Sequence, residues 1–193
     1  MSWVGMYGMG RLSVVIPTCS TTPELAEIAL KCAMSYRDHV DELIITEDAN
    51  VYLKELHDIS DRYVLHPNLG YGINTNVGWK LATGDFALVV NSDTEYLDGS
   101  LGDLCVAGTI TSPQVIEHNW TNANISGACF CVPRNIFDPG GYFGGNENAD
   151  TELFNRYEYM KVQKLVVKTV RVKHQGGTPG PSMRAGRPQI KVG

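Results

Sequence analysis

The first half of the chain alternates short apolar runs with stretches of helical periodicity, and each apolar run stops at a turn former or an acid. "LSVVIPT" places a strand at Leu12–Ile16, stopped by Pro17. In "TTPELAEIALKCAMSYRDHV", Thr22 can cap a helix and Pro23 suits its first position. Leu25, Ile28, Ala29, Cys32 and Tyr36 then share one face. "ELIIT" is a second strand that runs into "EDAN", residues 51–60 are weakly helical, and "RYVLH" (62–66) is a short third strand. A loop at 67–72, a helix from Ile73 to Thr83 and a buried strand at Phe86–Val90 complete the series. Such alternation predicts a parallel sheet built from βαβ units.

The second half is less regular. It reads as a helix near 98–107, strands in "VAGTITSPQV" and "ISGACFCVPR" around a polar loop at 116–124, and a helix in "DTELFNRYEYMKV". That helix aligns Leu153, Tyr157 and Met160, and a last strand, "KLVVKTVRV", ends at His174. The expectation is an α/β chain with a mixed, mostly parallel sheet flanked by helices. Residues 1–178 would form one domain, followed by a mobile basic Gly/Pro-rich tail at 179–193. At 193 residues the length suits one domain.

Several function classes are excluded early. No apolar run approaches the roughly 20 residues of a membrane helix, and "MSWVGMYGMG" lacks the basic start and apolar core of a signal peptide. A cytoplasmic protein is expected. The five cysteines are an odd number without a Cys-x-x-Cys, and they read as free thiols. There is no Gly-x-x-x-x-Gly-Lys-Ser/Thr phosphate loop, no Gly-x-Gly-x-x-Gly after the first strand and no Gly-x-Ser-x-Gly elbow. Charge is unevenly spread: residues 1–159 hold 8 Lys/Arg and 21 Asp/Glu, whereas residues 160–193 hold 8 Lys/Arg and no acid. The basic segment is either a solvated strand face with a tail or a wall for phosphates or an anionic acceptor.

Acids stand at or near strand ends: Glu47 and Asp48 after the second strand, Asp93 after the fourth, and Asp150 at the start of a late helix. Ligands of open α/β sheets bind beyond the carboxyl ends of the strands. Asn91, Ser92 and Asp93 are also turn formers, so "NSD" suits either a turn or a metal site. Hard cations such as Mg²⁺ or Mn²⁺ take carboxylate oxygens and keep waters and substrate phosphates as their other ligands.

Five stretches, in order, resemble the family-2 glycosyltransferases, especially their rhamnosyltransferase-like members: "LSVVIPT", "LIITEDAN", "NLGYGINTNVGWKLATGDFALVVNSDT", "ISGACFCVPRNIFDPGGYF" and "ADTELFNR". The resemblance spans about residues 11–178 and implies the GT-A fold of nucleotide-diphospho-sugar transferases. It implies inverting transfer of a hexosyl or deoxyhexosyl group from a UDP-, dTDP- or GDP-linked donor to a hydroxyl acceptor, assisted by Mn²⁺ or Mg²⁺. Three departures stand out: Asn91 opens the metal motif usually read Asp-x-Asp, Tyr142-Phe143-Gly144 replaces Phe-Asp-Glu, and Ala149 stands where Glu is common. They bear on the acceptor more than on the donor.

The resemblance also assigns roles. Pro17, Thr18 and either Glu47 or Asp48 would contact the nucleoside; the stretch Asn68 through Asn76, with Gly70 and Gly72 allowing close backbone approach, would shape the donor pocket with Asn91 and Ser92. Asp93 would hold the metal, joined by Asn91 and His174. Asp150 would be the general base, with Glu152 as fallback, and Glu147 lies in the loop before them. The acceptor would be a hydroxyl compound such as an anionic glycan, a lipid-phosphate or a nucleic acid. The departures leave a catalytically silent sugar-nucleotide-binding protein as the alternative. A sugar-1-phosphate nucleotidyltransferase is disfavoured, because the expected Gly- and Arg-rich loop after the first strand is absent.

Overall fold

A computed structural model describes residues 10–48, 53–118, 120–140 and 149–175. Strand β1 (Leu12–Thr18) is buried along its whole length, as is β2 (Glu42–Glu47). Both are flanked by parallel neighbours, β3 (Arg62–Leu65) beyond β2 and β4 (Phe86–Val90) beside β1. Two-sided burial explains why these strands are continuous apolar runs rather than alternating ones.

Successive β1 residues feed opposite cores. Val14 and Ile16 pack with Ala29, Cys32, Ala33 and Tyr36 of helix α1 (Pro23–Arg37), and with Leu56 of the short helix α2 (Lys54–Ile59). Val15 faces the other way, with Trp79 of α3 (Tyr71–Leu81), Phe137 of α4 (Arg134–Gly140), and Leu153 and Tyr157 of α5 (Ala149–Tyr159). Helix α1 starts as its sequence dictates, with the Thr22 hydroxyl accepting from Leu25 N at 3.4 Å. Its most buried face is centred on Ala26, Ala29 and Ala33, leaving Leu25 and Ile28 at the margin. Helix α3 begins two residues earlier than periodicity suggests, because Gly70 at φ 88° turns the chain into it.

Beyond β4 the sheet turns antiparallel. Strand β8 (Cys129–Pro133) pairs with β4, then β6 (Thr109–Glu117), then β9 (Gln163–His174) running parallel to β6, and finally β5 (Thr94–Asp98) antiparallel to β9. The two-residue strand β7 (Trp120–Thr121) pairs with β6. Only Asn91–Asp93 separate β4 from β5 in sequence, yet β5 lies at the far end of the strand order. The sheet curls around α1 to make this possible: Ser35 Oγ accepts from Tyr96 N at 3.0 Å, and the Tyr96 ring lies 5.8 Å from that of Tyr36 and 4.6 Å from that of His39.

The helix expected near 98–107 is not formed. Gly99, at φ 104°, ends β5 so close to β9 that a Cβ there would sit 2.2 Å from the Thr169 carbonyl oxygen. Only one 3₁₀ turn, Leu101–Leu104, follows, and it buries those two leucines. Met160 lies past the end of α5 and is exposed, unlike Leu153 and Tyr157. The tail from residue 176, Tyr142–Gly144 and Glu147 lie outside the described residues.

Candidate active site

Parallel strands bring their carboxyl ends to one edge, so the ends of β1, β2 and β4 gather the residues of interest. At the end of β1, Pro17 and Thr18 are buried. The Thr18 hydroxyl donates to Glu47 Oε2 at 2.7 Å, and Ser20 N donates to Glu47 Oε1 at 2.8 Å. Glu47 is therefore turned inward, binding the ends of β1 and β2 together. Asp48, the next residue, is 2% exposed, and its Oδ1 has no hydrogen-bond partner among the described residues. Burial pushes the Asp48 carboxyl above its ordinary value, with the thiol of Cys19 pulling the other way. A buried acceptor left unsatisfied costs about 1–3 kcal/mol, which a ligand N–H or O–H would recover. Of the two acids, Asp48 is the one with capacity for a ligand.

The loop before α3 is built by its own side chains. Asn68 Oδ1 accepts from Gly70 N at 3.1 Å, while its Nδ2 contacts Cys19 Sγ at 3.4 Å. Space around Gly70 is open, so the glycine serves the backbone conformation there. Asn76 lies half-buried on α3. Within the same stretch Asn74, given no role of its own from sequence, does more: it is buried, donates to the Thr18 carbonyl at 2.8 Å, and lies 3.1 Å from His66 Nε2. Its carbonyl accepts from Thr46 Oγ1 at 3.1 Å. An unpaired amide buried there would be costly, and these partners satisfy it.

Asn91-Ser92-Asp93 forms a turn. Thr94 N and Oγ1 donate to the Asn91 carbonyl at 3.1 and 2.9 Å, and Asn91 N donates to the Ala128 carbonyl at 2.8 Å. The turn thereby sets Asp93 beside the end of β9, where His174 pairs with Thr94 in the strand register. Asp93 Oδ1 is 3.2 Å from His174 Nε2, and Glu117 Oε2 is 3.1 Å from His174 Nδ1. The bond to Asp93 raises the His174 pKa, burial opposes it, and Glu117 adds to the rise. Asn91 Oδ1 accepts from the Tyr71 hydroxyl at 3.0 Å and so is engaged within the protein; Ser92 is half-buried in the turn.

Asp150 stands in the first turn of α5, where a carboxylate is favoured by the helix dipole. Its Oδ1 accepts from Thr151 N at 2.8 Å, and its other oxygen packs over Gly127, just before β8. Burial raises the Tyr71 hydroxyl pKa most, and the charges of Asp150 and Asp93 add to the rise. Tyr71 falls inside the 68–76 stretch but was given no role of its own, since a helix-start tyrosine has no motif. Glu152 is exposed on α5, and no described contact brings it to this group.

Among the described residues, no three His, Cys, Asp or Glu are grouped so as to hold a metal alone. Asp93 and His174 nevertheless offer one carboxylate oxygen and one imidazole nitrogen side by side. That set suits a divalent ion completed by waters and a diphosphate. No described helix is long and apolar enough to cross a membrane.

Residues 13–105, just under half of the chain, match the sequence model of glycosyl transferase family 2. No curated protein matches the chain. Among solved structures, a mannosyltransferase of Pyrobaculum calidifontis, in complex with GDP-Man and Mn²⁺, is 14% identical with a TM-score of 0.67, over 89% of this chain and 58% of that one. TarS of S. aureus is 13% identical with a TM-score of 0.66, over 86% of this chain and 36% of that one. GalNAc-T7, with UDP, GalNAc and Mn²⁺, is 12% identical with a TM-score of 0.67, over 86% and 44%. The chain thus has the GT-A glycosyltransferase fold. It spans between 36% and 60% of the length of these and related chains.

Proposed function

We propose that the chain is an inverting glycosyltransferase that moves a sugar from a nucleoside-diphosphate donor to a hydroxyl acceptor, assisted by a divalent metal. The observation that carries this reading is the convergence of Asp93 and His174, delivered by the β4–β5 turn and the end of β9. The family-2 match and the neighbours' complexes with GDP-Man, UDP and Mn²⁺ support it. So does the unpartnered oxygen of Asp48 at the nucleoside end.

In this reading Asp48 accepts a hydrogen bond from the base or ribose, while Thr18, Glu47 and Asn74 hold the strand ends in place. Asp93 and His174 would hold the metal. A bound divalent ion offsets the charge that builds on the leaving diphosphate. Asp150 takes the proton of the acceptor hydroxyl as that oxygen attacks the anomeric carbon from the face opposite the nucleotide. The attack inverts the centre, and a positioned base contributes roughly 10²–10⁴-fold. Tyr71 fixes Asn91 through its hydroxyl. The catalytic domain would comprise residues 1–178, with the rhamnosyltransferase-like subgroup as the sequence guide to its donor. The exposed Lys164, Lys168 and Lys173 of β9 favour an anionic acceptor.

A second reading has its own observation. Asn91 replaces the first acid of the metal motif and its side-chain oxygen is taken by Tyr71, as expected of a silent sugar-nucleotide-binding protein. Thermal unfolding with UDP-, dTDP- and GDP-sugars, each with Mn²⁺ or chelator, tests the donor site. Nucleotide release with hydroxyl acceptors then separates the two. A chelator-sensitive stabilisation by one nucleotide class together with turnover supports the transferase; stabilisation with no release above the blank supports the silent protein.

A further inference from the structure

We infer that Glu117 is a positioning residue for the metal site, holding the His174 ring so that Nε2 faces Asp93; this rests on the metal-site reading above. Three neighbouring strands make the arrangement. β6 and β9 run parallel with Ile116 opposite Lys173, so the next residues, Glu117 and His174, stand side by side at the strand ends. On the other flank of β9, Thr94 pairs with His174, which brings in Asp93. The imidazole is thus gripped from both sides, by Glu117 Oε2 at 3.1 Å on Nδ1 and by Asp93 Oδ1 at 3.2 Å on Nε2.

The two contacts differ in kind. Asp93 is a ligand candidate, whereas Glu117 reaches only the nitrogen that points away from it. A histidine that binds a cation through one nitrogen presents its other N–H to a carboxylate, which fixes the tautomer and the ring plane and strengthens the donor atom. Glu117 occupies that place. Its side chain is 34% exposed at a strand end, so its replacement leaves the core untouched. Nothing in the local sequence "QVIEHNW" signals the role, because it exists only through the pairing of β6 with β9.

The test measures Mn²⁺ binding directly, by the electron paramagnetic resonance signal of the free ion, on the wild type, Glu117→Ala, Glu117→Gln and His174→Ala. Loss of such an outer carboxylate typically costs roughly 10–100-fold in metal affinity, and that loss is expected for Glu117→Ala. Glu117→Gln keeps an acceptor for Nδ1–H and is expected to recover part of it. Unchanged Mn²⁺ affinity in Glu117→Ala, or a Glu117→Gln no better than Glu117→Ala, with His174→Ala impaired, overturns the inference alone. A wild type that binds no Mn²⁺, or a His174→Ala that binds it equally well, overturns the metal-site reading and the inference with it.

Discussion

Gly127 offers a way to move Asp150 without removing its carboxylate. A Cβ at position 127 would lie 2.2 Å from Asp150 Oδ2, 3.1 Å from its Cγ and 3.3 Å from its Cβ, all inside the 3.4 Å at which ordinary contact begins. Rotating the carboxylate relieves only the first of these. The side chain as a whole, or the first turn of α5, must retreat, and the oxygen must travel about 1.2 Å, the difference between 3.4 and 2.2 Å. A misplacement of about 1 Å can cost roughly 10²-fold in rate, close to 2.7 kcal/mol of barrier. Gly127→Ala is therefore expected to bind donor like the wild type, by its shift in thermal midpoint, and to release nucleotide about 100-fold more slowly with acceptor present. Asp150→Asn, which keeps the place and loses the base, should behave in parallel. A Gly127→Ala protein that transfers at the wild-type rate would refute Asp150 as the base.

Other expectations follow from the same geometry. Glu42, buried at the start of β2, accepts from Ser13 Oγ, Thr83 N, Thr83 Oγ1 and Arg62 Nε, so Glu42→Ala orphans several donors at once. It should cost about 2–4 kcal/mol in urea unfolding; a loss under 1 kcal/mol would show that the network relaxes freely. Burial raises the Glu42 carboxyl, but its bonds to Ser13, Thr83 and Arg62 outweigh burial and leave it below the ordinary value. The unfolded chain then binds more protons, so this stability is present above about pH 4.3 and lost as pH falls through the folded pKa. Glu42→Gln should flatten that part of the stability–pH curve, and an unchanged slope would locate the acid sensitivity elsewhere. Asp93→Ala should abolish the Mn²⁺-dependent part of donor stabilisation, about 2.7 kcal/mol when donor is near 100 times its dissociation constant. Full retention of that effect would remove Asp93 from the metal site.

The legible parts of the fold were those whose side chains meet the core directly. β1, β2, β4 and β8 announce themselves as runs buried on both faces, and Thr22-Pro23 marks the start of α1. β5 was missed because "TEYLD" buries only Thr94 fully, so its strand character comes from β9, some seventy residues later in the chain. The leucines at 101 and 104 imitate a helical face, yet they fill the core from a single 3₁₀ turn. The site divides in the same way. Asp93 and Asp150 belong to motifs, and Asp48 follows a buried strand. Tyr71, Asn74 and Glu117 have meaning only through partners supplied by other strands and helices.

The place of β9 has a consequence for the order in which the molecule can assemble. β9 lies between β6 and β5 and touches Asp93 and Glu117 through its final residue, His174. During synthesis the β1–β4 half, with its neighbouring parallel pairs, can close while β5 still waits for its only strand partner among the described residues. Non-local pairings of this kind fold slowly, since loop entropy is lost before any contact compensates it. A nascent chain halted before Gln163 would thus carry Asp48 at the end of β2 with an unpaired β5 edge and without His174 beside Asp93. On the proposed reading, the nucleoside would have its place before the diphosphate had a metal.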